Sequence, residues 1–309
     1  MLKNTVCKRN QNPAVTNAIR TYDFKPGLPA EIELVRISSI FRRHEQNVVQ
    51  PHRADFYHIF WFTEGTPVHT VDFIPIPIQP HTLLFVNKSR VQFFDPGGNY
   101  DGWMLLFTDA FFNQNPQDAR FLRNTILFHD LLDIPVVRLD RTATSLTVLF
   151  DQLREEFARP EDAVHVPVLR NLLHTLLMLA DRERRTQGFS EIRKGPDLDH
   201  TLHFNALMEK QFRQVRAVRD YAAQMSLTER RLQQATAAAV GKTPKQLIDD
   251  RLVLEAKRLL VHTSLSVKEI GFELGFDEPT NFTRFFRRQI DRTPADFRKQ
   301  FSSPARFAF

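Results

Sequence analysis

The chain has 309 residues, more than one compact core ordinarily spans, so two domains are expected. Hydrophobic residues make up 42% of it, which excludes a disordered chain, and 28 Phe against 10 Gly predict cores rich in aromatics. One cysteine, Cys7, excludes an internal disulfide framework and a cysteine-based zinc module, and fits a reducing, cytoplasmic setting.

The net charge of +6 is unevenly placed. Residues 201–309 hold 19 Lys and Arg against 12 Asp and Glu, whereas the preceding 200 residues hold 23 against 24. A basic module joined to a neutral one predicts a polyanion partner for the module. The N-terminus has positive charges but no apolar stretch, so no secretory leader is predicted. The longest apolar run, LLHTLLMLA at 172–180, is too short to span a bilayer, and no membrane partner is expected.

In chain order, 31–108 reads as β structure. The stretches YHIFWF, HTVDFIPI, HTLLFVN and WMLLFT are separated by Glu64-Gly65, Pro75 and Pro77, Asn87-Lys88-Ser89 and Pro96-Gly97-Gly98-Asn99. Short strands at this spacing predict an antiparallel sandwich or barrel. From 145 the period changes to that of a helix, with Leu146, Leu149, Phe150, Leu153 and Phe157 on one stripe. A second amphipathic stretch covers 166–180 with Val168, Leu172, Leu176 and Leu179. Two stripes exceed what covering one sheet requires, so a homodimer held by these helices is predicted. The run 186–200, with Gly188, Gly195 and Pro196, reads as a linker.

Beyond it the chain repeats itself at an offset of 50, pairing Leu232 with Phe282, Val240 with Ile290, Thr243 with Thr293 and Pro244 with Pro294. Each Thr-Pro suits a helix start, Thr as N-cap and Pro where no N–H is needed. Each copy reads as a helix-turn-helix. The first has Tyr221-Ala222-Ala223, a turn at Ser226 and the N-cap Thr228. Its second helix points Leu232 and Ala235 inward and Arg230, Arg231, Gln233 and Gln234 outward. The second copy opens with the capping box Ser266-Val267-Lys268-Glu269 and turns at Gly275. From Pro279 its next helix points Phe282, Phe285 and Phe286 inward, leaving Thr280, Asn281, Thr283, Arg284, Arg287 and Arg288 outside. Asn, Gln and Arg can bond two atoms of one base edge, and Arg neutralises phosphates, so double-stranded DNA is the predicted partner. A single helix over 244–262, with Leu252, Ala256, Leu259 and Leu260 on one face, would hold the two units at a fixed distance. They could then enter successive major grooves roughly 34 Å apart.

The stretch SVKEIGFELGFDEPTNFTRFFRRQIDRTPADFRKQF at 266–301 resembles the signature of the AraC family of transcription regulators, and RLVLEAKRLL before it resembles that family's linker helix. The chain departs from the family at Asp291, where Gly is usual, at Gly271, where Ala is common, and at Gln234 and Thr236 in the first recognition helix. The resemblance implies base contacts from Glu229, Arg230, Gln233 and Gln234 and from Thr280, Asn281, Thr283 and Arg284. It also implies activation of transcription, with RNA polymerase as a further partner, and an N-terminal cupin-like β-barrel that binds a small-molecule effector.

A metal cupin would place ligands at His52, Ala54, His58 and Gln92, with Gly65, Asn87 and Ser89 at the accompanying positions. Ala54 and Gln92 cannot complete that set, so no metal and no cofactor are expected. The period-2 pattern offers Phe56, His58, Phe60, Phe62, Phe93 and Trp103, together with His52, as effector-lining candidates.

The expected fold class is α+β: a cupin-like antiparallel β-barrel followed by helices, then an all-α C-terminal domain with two helix-turn-helix units. The expected division is 1–140 regulatory, 141–185 dimerising, 186–200 linker and 201–309 DNA-binding. No phosphate loop, catalytic triad spacing or paired-carboxylate motif is present, so an enzyme is not expected. The competing readings are a degenerate, metal-poor cupin enzyme of the dioxygenase or isomerase type with a helical appendage, and an architectural DNA binder without an effector.

Overall fold

A computed structural model describes residues 19–24, 30–128, 134–139, 144–187 and 195–301. Cys7 and residues 188–194 of the 186–200 stretch lie outside the described residues. Of the described residues, 20–187 fall in one compact unit and 195–301, with Ile19, in a second. The class is α+β.

The first unit contains β1 (Arg20–Tyr22), β2 (Ile32–Arg36), α1 (Ile37–Val48), β3 (His52–Ala54), β4 (Tyr57–Gly65), β5 (Val68–Val71), β6 (Ile74–Pro77), β7 (Thr82–Val86), β8 (Gln92–Phe94) and β9 (Tyr100–Phe107). After these come α2 (Asp109–Phe112), α3 (Pro116–Asn124), β10 (Val136–Arg138), α4 (Thr144–Ala158) and α5 (His165–Thr186). The strands form two five-stranded sheets, ordered β1-β3-β8-β5-β6 and β10-β7-β4-β9-β2. All described ladders are antiparallel except β1 with β3.

The expectation of a closed antiparallel barrel is therefore corrected: both sheets are open. Helix α1 occupies the stretch between β2 and β3 that the β reading of 31–108 assigned to strands. Its Ile37 and Val48 are buried, and Ile40 and Phe41 pack against the same core.

Alternation along β4 sends side chains into two different cores. Tyr57, Ile59 and Trp61 join Leu83, Phe85, Leu105 and Phe107 under α4 and α5. Phe60 and Phe62 join Leu84, Phe94, Met104 and Leu106 on the opposite face. A bulge after Phe62 sets Gly102 opposite it at φ 149, where an added Cβ would lie 2.0 Å from the Trp61 carbonyl oxygen.

The stripes on α4 and α5 face this sheet. Leu146, Leu149, Leu153 and Leu176 are buried in the core, while Phe157, Leu172 and Leu179 pack on its edge. The residues predicted to pair two copies thus pack largely within one chain. Val148 and Met178, 47% and 50% exposed, are the large apolar side chains that α4 and α5 leave open.

The second unit is all helical: α6 (Pro196–Gln211), α7 (Val218–Gln224), α8 (Glu229–Val240), α9 (Pro244–His262), α10 (Val267–Glu273), α11 (Pro279–Ile290) and α12 (Pro294–Phe301). Gly195 and Pro196 mark the start of α6, with Pro in its first turn, inside the stretch read as linker.

The repeat is visible in the geometry. The α7–α8 and α10–α11 pairs each consist of a 7-residue and a 12-residue helix, and each second helix ends in a left-handed residue, Gly241 at φ 67 and Asp291 at φ 57. Asp is among the few side chains that tolerate this conformation, which explains its standing where Gly is usual. Thr243 with Gln246 and Ser266 with Glu269 form complete capping boxes, so the starts of α9 and α10 are fixed by local chemistry.

Candidate DNA interface and ligand cavity

Helices α8 and α11 carry their apolar stripes inward: Leu232 and Ala235 on one, Phe282, Phe285 and Phe286 on the other, all buried. The opposite faces are left to solvent. On α8, Glu229, Arg230, Gln233 and Gln234 are exposed. Arg231 is half-buried, and its Nη1 donates to Asp197 Oδ1 on α6 at 2.5 Å, so this arginine is already engaged within the unit. On α11, Thr280, Asn281, Arg284, Arg287 and Arg288 are exposed and Thr283 is partly covered. Thr283 Oγ1 donates back to the Pro279 carbonyl at 3.1 Å, and Thr280 Oγ1 donates to Glu278 Oε2 at 3.3 Å. The second helix therefore offers Asn281 and three arginines on one surface, and the first offers Arg230, two glutamines and Glu229.

The scaffold beneath contains a charged cluster that the sequence reading missed. Glu255 on α9 is wholly buried and accepts from Arg213 Nη2 at 3.2 Å, Arg251 Nη1 at 3.1 Å and Arg258 Nη1 at 2.9 Å. Arg251 Nε also donates to both carboxylate oxygens of Glu209 at 2.8 Å, and Arg213 donates to Glu273 at 2.5 Å. Through Glu209 and Glu273 the cluster around Glu255 ties α6, α9 and α10 together. A signal was present: Glu255 stands at helical spacing between Leu252 and Leu259, on the inward face. Arg216 packs over Phe276 at 3.8 Å and donates to the Leu274 carbonyl at 2.7 Å, bracing the second turn.

A cavity of about 250 Å³ lies in the first unit between α1 and the inner face of the strands. Of the candidates named from the sequence, His52, Phe56, His58 and Phe60 line it. Phe62 shares their face of β4 but lies beyond the lining. Phe93 and Trp103 are on the wrong parity. The lining residues of β8 and β9 are Gln92, Phe94, Met104 and Leu106. Trp103 instead packs against the outer core, with the guanidiniums of Arg36 and Arg154 at 6.0 and 4.8 Å from its ring.

The sequence reading also missed Arg20, Tyr22, His44 and Asn47, because it assigned no lining role to β1 or α1. At the buried end, Gln92 bridges two imidazoles: its Nε2 donates to His58 Nε2 at 3.2 Å and its Oε1 accepts from His69 Nε2 at 3.1 Å. Burial drives the pKa of His52 and of His69 down to about 4 and that of His58 well below the usual range, so all three are neutral at pH 7. Among the described residues no group of three or more His, Cys, Asp or Glu is arranged to hold a metal. None of their helices is long and apolar enough to cross a membrane.

A family model for the AraC-like ligand binding domain matches residues 35–178, and one for a helix-turn-helix domain matches 221–300. The chain is similar to the HTH-type transcriptional activator RhaS of Salmonella arizonae, 25% identical over 288 residues covering 91% of this chain and 96% of that one. It is also similar to RhaS of Klebsiella pneumoniae, 24% identical over 266 residues, with 83% and 90% covered. Among solved structures, ToxT from Vibrio cholerae aligns at 11% identity and a TM-score of 0.41, over 88% of this chain and 98% of that one. With a ligand-binding model on the first unit, a helix-turn-helix model on the second and full-length regulators as relatives, the chain belongs to the AraC family of DNA-binding transcription regulators.

Proposed function

We propose that the chain is a cytoplasmic, sequence-specific transcription activator, not an enzyme, whose α8 and α11 read duplex DNA and whose first unit answers to a small-molecule effector held in the α1 cavity. The observation that carries the DNA reading is the repeated arrangement of a buried apolar stripe and an exposed Asn, Gln and Arg face on α8 and α11. Helix α9, 19 residues and so about 28 Å long, holds the two at a fixed separation. Activation and RNA polymerase as a partner are inferred from the RhaS relatives' name and from the family.

The two helices are expected to contribute unequally, since Arg231 is engaged with Asp197 while Arg284, Arg287 and Arg288 are free to reach DNA. Arg284→Ala and Asn281→Ala are each expected to lose about 1–3 kcal/mol of discrimination between the chain's own promoter DNA and a scrambled duplex. Arg287→Ala and Arg288→Ala should instead weaken both duplexes alike and lower the salt dependence of binding. Fluorescence anisotropy titrations of the full-length chain at several salt concentrations measure both quantities. Unchanged discrimination in both of the first two variants rejects α11 as a base-reading helix.

We also propose a homodimer, which would let two copies occupy neighbouring DNA sites. Val148 and Met178 are the positions to test, since they are exposed, whereas charges at the buried Leu149 or Leu176 would disrupt the core itself. Sedimentation at tens of micromolar is expected to show a dimer that Met178→Glu splits. A wild-type monomer, with and without DNA, removes the dimer.

A further inference from the structure

The cavity has a chemical character that narrows what fills it. Arg20 enters its lining from β1. Its Nη1 donates to Asn47 Oδ1 on α1 and lies 3.4 Å from the Tyr22 hydroxyl, both uncharged partners. Among the described residues the Arg20 guanidinium has no carboxylate partner, in contrast to Arg36, Arg90, Arg213 and Arg251. Glu33, the one carboxylate on the lining, already has an interaction partner. His44, His52 and His58 also face this cavity. The last two are neutral at pH 7 and add no positive charge beside Arg20. A guanidinium at the edge of an apolar cavity with only neutral partners is a site for an anion, and its planar fork matches a carboxylate.

The buried end offers flat, apolar walls. Phe56, His58 and Phe60 follow one another along the lining, with ring centroids 4.9 and 5.6 Å apart, and the second pair is stacked at 8°. Met104 and Leu106 lie on the same lining. His58 Nε2 accepts from Gln92, so in the neutral ring the proton sits on Nδ1, which is buried beside the Phe56 backbone. A volume of about 250 Å³ holds one small ring with its substituents. A pyranose would need partners all around its ring, whereas Val35, Ile40 and Val48 present none.

We propose that the cavity binds a small aromatic monocarboxylate, its carboxylate on Arg20 and its ring against Phe56 and Phe60. This rests on the reading of the cavity as the effector site.

The test is calorimetry on the full-length chain with three probes: 4-hydroxybenzoate, the uncharged 4-hydroxybenzyl alcohol, and glucose. 4-Hydroxybenzoate is expected to bind at least tenfold more tightly than either neutral probe. Arg20→Gln should remove that advantage without changing the affinity for the alcohol, and Arg20→Lys should keep part of it. Val35→Trp, at a half-covered lining position, should block binding of the acid. If the alcohol or glucose matches the acid, or if no acid binds wild type, the ligand class is overturned. If the acid binds and Val35→Trp leaves it unaffected, the cavity is not the site, and the reading beneath the proposal falls with it. Circular dichroism of each variant confirms folding, so lost affinity is not confused with lost structure.

Discussion

Replacing Glu255 with alanine is expected to destabilise the C-terminal unit by about 3–5 kcal/mol, the cost of leaving buried charges without their partner. Arg251 and Arg258 are 10% and 3% exposed at the side chain, so water cannot take over when the carboxylate goes. Arg213, at 31%, can turn to solvent and would account for little of the loss. Glu255→Gln should fall almost as far, because it keeps the shape and removes the charge. Since Glu255 braces α9 against α6 and the α6–α7 connection, DNA binding should fail in parallel with the fold. Urea titration of the full-length chain, followed by far-ultraviolet circular dichroism and by DNA binding, measures both. A loss below about 1 kcal/mol in both variants would show that the cluster is worth no more than a surface ion pair.

Gly275→Ala is the second large effect, roughly 2–5 kcal/mol, and its cause is steric rather than electrostatic. The residue sits at φ 77 in the turn between α10 and α11. The matching turn of the first copy uses Ser226 at φ 54, so the left-handed conformation alone does not demand glycine. It costs a side chain about 1–2 kcal/mol. What differs at 275 is the Arg213 carbonyl, whose oxygen would lie 2.0 Å from an added Cβ. Backbone must move to admit it, and overpacking of this kind adds a further 1–3 kcal/mol. The same denaturation measurement applies. An alanine variant within about 1 kcal/mol of wild type would mean that the 213–216 connection yields freely.

The contrast between Ser226 and Gly275 illustrates what can be read from a sequence. Caps, turns and apolar stripes are local chemistry, and in the second unit they recur twice in register. The ends and inward faces of α8, α9, α10 and α11 were therefore legible. In the first unit the partners of each residue are distant in sequence. Helix α1 was missed although Ile37, Ile40, Phe41 and Val48 fall on helical spacing, because the strands around it dominated the pattern. Trp103 and Phe93 were misplaced because alternation gives two faces without saying which one points inward. Arg20 and His69 join the cavity or its polar end only through pairings of β1 with β3 and of β5 with β8. Glu255 drew no notice in the sequence because acidic residues are seldom wholly buried, and only the three converging arginines make an exception of it.

Strand β4 has a consequence for signalling. Nine residues long, it gives Phe60 and His58 to the cavity and Ile59 and Trp61 to the layer beneath α4 and α5. It is a party wall: each side hangs on the same backbone, and neither side has slack, since packed interiors scarcely compress. A guest that shifts this strand by a few tenths of an ångström displaces the furniture in both rooms. If the proposed effector fills the cavity, its presence would reach the outer helices without a hinge, a lid or any segment that must unfold.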